Sequence, residues 1–147
     1  MNPIIISVNV SEKRGIAKTP VNKIELIENL GVKGDAHAAP GDRQVSLLAI
    51  ESYEKFEKQR LNEICLKHGA FGENIITSGI ILHKLAIGTK FIINDCILEV
   101  SKIGKECHAP CNIGKTVGSC IMPKEGIFAS VLKAGNIKKG SEIILEN

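Results

Sequence analysis

The alternation of apolar and polar positions sorts most of this chain into short extended runs. IIISVNV (4–10), NKIELIE (22–28), QVSLLAI (44–50), ENIITSG (73–79), KFIINDCILEVSKI (90–103), IFASVLKAG (127–135) and SEIILEN (141–147) are rich in Ile and Val and bounded by Gly, Asn, Asp or Pro. That is the composition of strands separated by turns. Within 90–103, Asn94-Asp95 divides two apolar halves and predicts a hairpin. Gly135-Asn136 and Lys139-Gly140 read as further breaks among the last strands. One segment departs from the pattern. In ESYEKFEKQRLNEICLKHG (51–69), Tyr53, Phe56, Leu61, Ile64 and Cys65 share one helical face. Glu51–Lys55 and Glu54–Lys58 are spaced as i,i+4 pairs, and Gly69 supplies a stop, so the spacing predicts one main helix at about 51–67. Many short strands around one helix imply a β-rich α+β fold, barrel-like, with helical decoration.

The length, 147 residues, fits a single domain spanning 1–147. A chain of this size buries roughly two-thirds of its unfolded surface, so disulfide staples are not required. No run approaches the ~20 apolar residues that cross a bilayer. MNPIIISVNVSEKR lacks the basic start and small-residue cleavage site of a secretory leader. A cytoplasmic location, where thiols stay reduced, is the expectation, and the odd count of five cysteines agrees with it. The net charge of +3 is mild and spread along the chain, and aromatic residues make up only 3%. The charge does not indicate duplex nucleic acid, which needs a dense basic stripe, and the scarcity of aromatics weakens any base-stacking platform, so an anionic ligand is expected to be small.

Three polar clusters carry the candidate chemistry. In GVKGDAHAAPGDRQVSLLAI (31–50), Asp35, His37, Asp42, Arg43 and Gln44 lie among glycines and Pro40. Arg43 offers a donor fork suited to phosphate or carboxylate oxygens. Alternatively, the Asp and Arg side chains of a polar turn satisfy each other. In GAFGENII (69–76), Glu73 and Asn74 follow the helix stop, where Asn74 can also bond nearby backbone. GKECHAPCNIGKTVGSC (104–120) holds Cys107, His108, Cys111 and Cys120. Pro110 argues against a continuous helix and suits the first position of a short helix or turn. Cys111 would then sit in a first turn, where free N–H groups favour a thiolate. A zinc knuckle has four ligands of the right type but the wrong spacing, since no C-x₂-C pair is present. A Cys107–Cys111 disulfide is disfavoured in a reducing compartment. Cys65 and Cys96 read as small buried apolar residues.

The three clusters, in their order and spacing, resemble the MOSC domain family, named for the C-terminal domain of molybdenum cofactor sulfurases. GDAHAAPGDRQVSLLA, GAFGENII and CHAPC carry the resemblance. CIMPKEGIFASVLKAGNIKKGSEI is similar to the small stand-alone bacterial members. The resemblance implies a barrel of the pyruvate-kinase β-barrel type and a domain that binds molybdenum cofactor (molybdopterin) or carries sulfur in molybdenum cofactor metabolism. By position, Cys111 would be the persulfide carrier or molybdenum ligand. Arg43 would meet the pterin phosphate, with Asp35, His37, Gln44, Glu73 and Asn74 lining the same pocket. Glu73 or His37 would be the candidates for relaying protons. The implied partners are the cofactor, a cysteine desulfurase or a molybdoenzyme, with neither nucleic acid nor membrane. The chain has no room for the pyridoxal-phosphate desulfurase domain of full sulfurases, so it would accept or present sulfur without extracting it. Two other readings stand beside this one: a molybdenum-dependent reductase component acting on N-hydroxylated compounds, and a non-catalytic zinc-stabilised binding module.

Overall fold

The computed structural model describes residues 3–14, 16–59, 68–104 and 125–146. Eleven strands are described: β1 (Ile4–Val10), β2 (Thr19–Val21), β3 (Lys23–Ile27), β4 (Gly31–Val32), β5 (Val45–Ala49), β6 (Ile75–Ser78), β7 (Lys90–Ile93), β8 (Cys96–Ile103), β9 (Ile127–Lys133), β10 (Gly135–Lys138) and β11 (Ile144–Glu146). Helix α1 is described over Ile50–Gln59, and a short 3₁₀ turn covers Leu82–Lys84. The remainder of the expected 51–67 helix, with Leu61, Ile64 and Cys65, lies outside the described residues.

Eight strands form one sheet in the order β11-β7-β8-β9-β5-β6-β1-β2. The sheet curls because its far members are stitched by the segment that enters β11. Ile5 N–H donates to the Ser141 carbonyl at 2.9 Å, Gly140 N–H to Ile5 at 2.7 Å, and Ile143 N–H to Pro3 at 2.8 Å. A β-bridge between Ile4 and Glu142 lies in the same seam. The result is a curled, half-barrel sheet whose concave side collects Ile5, Val45, Leu47, Ile75, Leu98, Val100 and Ala129. A second sheet, β10-β3-β4, covers that side by sending in Ile24, Leu26, Val32 and Ile137. Alternation explains the split: in β3 only Ile24 and Leu26 are fully buried, and Lys23 and Glu25 face water.

β5 is buried along its whole length because both of its faces are covered. Val45, Leu47 and Ala49 join the main core, whereas Leu48 joins a second cluster with Tyr53, Phe71, Ile76 and Phe128 beneath α1. β5 and β6 run parallel, Leu47 opposite Ile75, and the connection between them contains α1. Parallel neighbours need such a crossover, which accounts for the single predicted helix in a strand-rich chain.

The 94–95 turn is a hairpin as expected, with Asn94 at φ 54° and Ile93 opposite Cys96. Cys96 is buried, also as expected. Gly135-Asn136 differs: it is not a break but the start of β10, pairing with Leu26 and Glu25. A Cβ there would lie 2.6 Å from the buried Cys96 sulfur, so any side chain at this position would force the sulfur to shift. The i,i+4 pair Glu51–Lys55 is also replaced. Lys55 Nζ bonds Glu125 at 3.0 Å, and Glu51 accepts the Gly79 N–H at 2.8 Å.

Gly69 and Gly88 give a paired test of the packing. Both have positive φ, but a Cβ on Gly69 would stand 2.1 Å from the Lys18 carbonyl, whereas one on Gly88 meets nothing within 4 Å. Gly88→Ala is expected to cost about 1 kcal/mol from backbone strain alone. Gly69→Ala is expected to cost roughly 2–4 kcal/mol, since overpacking adds to that strain. Urea unfolding of the two variants measures the difference.

Candidate functional site

The start of the parallel pair β5/β6 is held by side chains. Asn74 Oδ1 accepts the Ser46 N–H and Oγ–H, each at 3.1 Å. Its Nδ2 donates to the Asn9 carbonyl at 3.2 Å, and Asn9 Nδ2 donates to the Glu73 carbonyl at 3.2 Å. Asn9, Ser46 and Asn74 are all buried, so each bond satisfies a group that water does not reach. Gln44 serves a similar end one residue before β5. Its Oε1 accepts the Val131 N–H at 2.9 Å, and its Nε2 donates to Asn29 Oδ1 and the Gly41 carbonyl. Both amides spend their hydrogen-bonding atoms on the fold.

Asp35 and His37 meet a partner that the motifs did not reveal, Lys18. Its ammonium lies 2.8 Å and 3.1 Å from the two Asp35 oxygens, 3.1 Å from Ser11 Oγ and 3.0 Å from His37 Nδ1. The Lys18 and Asp35 side chains are 0% and 1% exposed. Burial pushes the Asp35 carboxyl up. Lys18's hydrogen bond, the Ser11 N–H, Lys18's charge and the His37 N–H outweigh that push and hold it below its usual value. The Lys18 N–H donates to the Gly69 carbonyl at 2.8 Å, which joins this cluster to the turn leading into β6. The first two polar clusters of the sequence therefore do come together. They meet through a lysine in GIAKTP that no spacing rule marks.

Glu73 is fully buried, and both of its carboxyl oxygens lie 2.8 Å from the Tyr53 hydroxyl. Phe71 packs edge-on to the same ring at 5.1 Å. Burial pushes the Glu73 carboxyl up to about 8, against the lowering effect of the Tyr53 hydrogen bond and of backbone N–H groups. Burial and the neighbouring Glu73 likewise push the Tyr53 phenol up. The pair is a buried, hydrogen-bonded unit that pins α1 to the 69–73 turn.

Arg43 behaves differently. It is exposed, forms no ion pair among the described residues, and its guanidinium lies 5.7 Å above the Phe128 ring. The adjacent Asp42 does not neutralise it; the Asp42 carbonyl instead accepts the Ser101 hydroxyl at 2.6 Å, fixing the Arg43 loop against β8. Lys102 stands opposite Phe128 in the β8/β9 register, so its side chain leaves the same face of the sheet. Two residues farther along each strand, the Gly104 N–H donates to the Gly126 carbonyl at 2.7 Å. That bond joins Gly104 and Gly126, which flank in sequence the stretch containing Cys107, His108, Cys111 and Cys120. Those four residues themselves lie outside the described residues. Among the described residues no group of three or more His, Cys, Asp or Glu is placed to hold a metal.

The MOSC domain profile matches residues 33–144. The chain belongs to the MOSC domain family. The match takes in all three polar clusters, and the family is commonly linked to molybdenum cofactor binding or sulfur transfer. Among solved structures, the YuaD protein from Bacillus subtilis superimposes with a TM-score of 0.78 at 17% identity, covering 99% of this chain and 96% of that one. YiiM from Geobacillus stearothermophilus gives 0.76 at 21% identity, with coverage of 99% and 75%. YiiM from Escherichia coli gives 0.75 at 20%, with coverage of 100% and 70%. At these identities the likeness shows the fold. No curated protein matches this MOSC chain significantly in sequence. Among the described residues no helix is long and apolar enough to cross a membrane.

The Glu73–Tyr53 unit predicts a pH dependence of stability. Unfolded, the carboxyl titrates near its ordinary 4.5; folded, it titrates at about 8. Between those values the folded chain keeps a proton that the unfolded chain has lost. The Glu73 contribution is therefore complete below pH ~4.5 and falls away as pH rises to ~8. Asp35 acts in the opposite sense: lowered from 3.8, it contributes above that value and is lost as pH falls further. Urea midpoints measured from pH 5 to 8 should decline for the parent chain, and Glu73→Gln should flatten that decline. An unchanged slope would show that Glu73 is ionised in the fold.

Proposed function

We propose that this MOSC chain presents Cys111 as a reactive thiol, carrying sulfur for, or ligating, molybdenum cofactor beside the cationic face of β8 and β9. The observation that carries the reading is the junction itself. The cysteine-bearing segment is tied at Gly104 and Gly126, and Phe128, with Arg43 above it and Lys102 beside it, lies two residues away. An exposed guanidinium without a carboxylate partner among the described residues suits a phosphate, and Lys102 adds a second positive charge. The residues present therefore fit a phosphate-bearing cofactor, whose metal would supply a centre for soft sulfur ligands. Asp35, Gln44 and Asn74 would shape the wall of the site, since their polar atoms are already engaged within the fold.

In the carrier role, the Cys111 thiolate attacks the outer sulfur of a donor persulfide. A Cys111 persulfide forms, the donor S–S bond breaks, and the donor leaves as a thiolate. No external oxidant is consumed. The thiolate is the reacting species, so nearby positive charge lowers the cost of forming it. Glu73 would act in the relay only from within the fold, next to the Tyr53 hydroxyl. It is fully buried, and burial raises its carboxyl to about 8. A reducing compartment such as the cytoplasm would keep the thiol available.

Incubation with a cysteine desulfurase and cysteine should add ~32 Da, one sulfur, to the intact protein. Cys111→Ser should abolish that addition, and Cys107→Ser should leave it in place. An adduct that survives Cys111→Ser would move the chemistry to another thiol. Arg43→Ala should weaken binding of molybdopterin about tenfold, the value of one charge-assisted hydrogen bond. Unchanged affinity would remove Arg43 from the phosphate site.

A further inference from the structure

We infer that the outer face of the β11-β7-β8-β9 stretch docks a second copy of this chain, about a two-fold axis parallel to the strands. Alternation along the strands fixes what that face carries. In β7 and β8, Phe91, Ile93, Cys96 and Leu98 enter the core, so Ile92 and Ile97 face outward. Ile144 stands opposite Ile92, and Ile92 opposite Ile97, and directly opposed residues leave the same face. The register slips where Ile97 pairs with Lys133 and Leu98 with Val131. Leu132 is the extra residue, so it stands with Lys133 against Ile97.

An apolar row therefore crosses four strands, from Ile144 through Ile92 and Ile97 to Leu132. Its two ends are open to water, with Ile144 57% and Leu132 41% exposed. Helix α1 packs against β5 and β6, and the second sheet lies on the concave side. Two residues along each strand, on the same outer face, a second row runs Glu146, Lys90, Glu99 and Ser130 in register. Lys90 and Glu99 are direct neighbours, yet among the described residues neither forms an ion pair. On the opposite flank, exposed Glu142 precedes the buried Ile143 and so also faces out.

The pattern of charges selects the occupant. A two-fold axis between β7 and β8, parallel to them, reverses the order of the strands and keeps the height along them. It lays Ile92 on Ile97 of the second copy and Ile144 against Leu132. It sets Lys90 against Glu99 twice, once in each direction, and brings Glu142 toward Lys133. The alternative axis, along the apolar row, would oppose Glu146 to Glu142, acid to acid. A partner of one strong charge is not favoured, because the face carries both signs. Aligned strands are also a usual way for two sheets to stack, about 10 Å apart. The contact is isologous, with one patch serving both chains.

Four strands about 4.8 Å apart and three rows about 7 Å apart make a patch of roughly 15 by 14 Å. That is less than a standard interface, so the dimer forms reversibly and depends on concentration. A curled sheet meets its copy first over the middle strands, where Ile92, Ile97, Lys90 and Glu99 lie. None of this depends on the role of Cys111.

Sedimentation velocity of the full chain, from about 1 to 500 µM in low salt, reads the association directly. The mass is expected to rise from one chain toward two across that range. A chain that stays monomeric throughout would overturn the inference and leave the face to another occupant. Lys90→Glu and Glu99→Lys each bring like charges together at both symmetry-related contacts. Either variant alone should associate at least about tenfold more weakly than the parent. Mixed in equal amounts, the two should regain the dimer, because every Lys–Glu contact is restored in the mixed pair. Parental association by either variant, or a mixture no tighter than its components, would overturn the proposed face.

The double swap Lys90→Glu with Glu99→Lys keeps opposite charges across the strands, so it serves should a single reversal not fold. It should pair with itself as the parent does but not with the parent, since mixed pairs oppose like charges. Native mass spectrometry with one chain ¹⁵N-labelled separates the species. Free formation of mixed dimers would count against the two-fold contact.

Discussion

The ion pair between Lys18 and Asp35 is the constraint on which the arrangement of loops depends. Both side chains are sealed from solvent, so neither charge has water as an alternative partner. Removing one member of such a pair typically costs about 3–5 kcal/mol, because the other is left charged and unpaired. That penalty ties three stretches of chain that share no secondary structure: the segment after β1, the loop after β4 and the turn before β6. Ser11 and His37 also contact the pair, and the Lys18 backbone receives the turn at Gly69 so closely that no side chain fits there. A hydrophobic contact would hold these loops near one another. The directional bonds of an ammonium fix their rotation as well.

Polar residues in the two upstream clusters separate into two kinds by what their atoms touch. Asn74 and Gln44 act as surrogate backbone, continuing strand pairing where the ladders of β5 with β6 and β9 begin. Glu73 is a buried acid beneath Tyr53, serving the attachment of α1. Arg43 is exposed over the Phe128 ring and Lys102 pairs opposite Phe128, next to the junction of the cysteine-bearing segment. Burial of the first kind makes the outward pair stiff. The Arg43 loop is anchored by Gln44 on one side and by the Asp42–Ser101 bond on the other. A guanidinium held in this way loses less freedom on meeting an anion.

Much of this architecture was legible in the chain because burial follows the period of each element. IIISVNV and the two halves of KFIINDCILEVSKI alternate or run apolar as strands that face one core, and β1, β7 and β8 fall on them. β2 and β4 were not legible, since three and two residues carry no period, and they form only because neighbouring strands offer edges. β10 was hidden by Gly135-Asn136, whose glycine answers to the Cys96 sulfur and not to a turn. The helix was legible over Ile50–Gln59, but Lys55 found Glu125, distant in sequence, where local spacing suggested Glu51. Lys18 left no trace in the sequence because one lysine between Ala17 and Thr19 looks like a solvated residue. Its role exists only once Asp35 and His37 are folded around it.

The central claim is that one thiol works against the guanidinium that β9 supports. A nitroxide attached to Cys111, in a chain with Cys65, Cys107 and Cys120 replaced by alanine, tests it most directly through relaxation of assigned resonances. The account requires strong broadening of the Arg43 side-chain N–H and the Phe128 ring, with the Ile144–Glu146 strand as an unaffected reference. Sharp Arg43 and Phe128 signals beside a fully labelled Cys111 would contradict it.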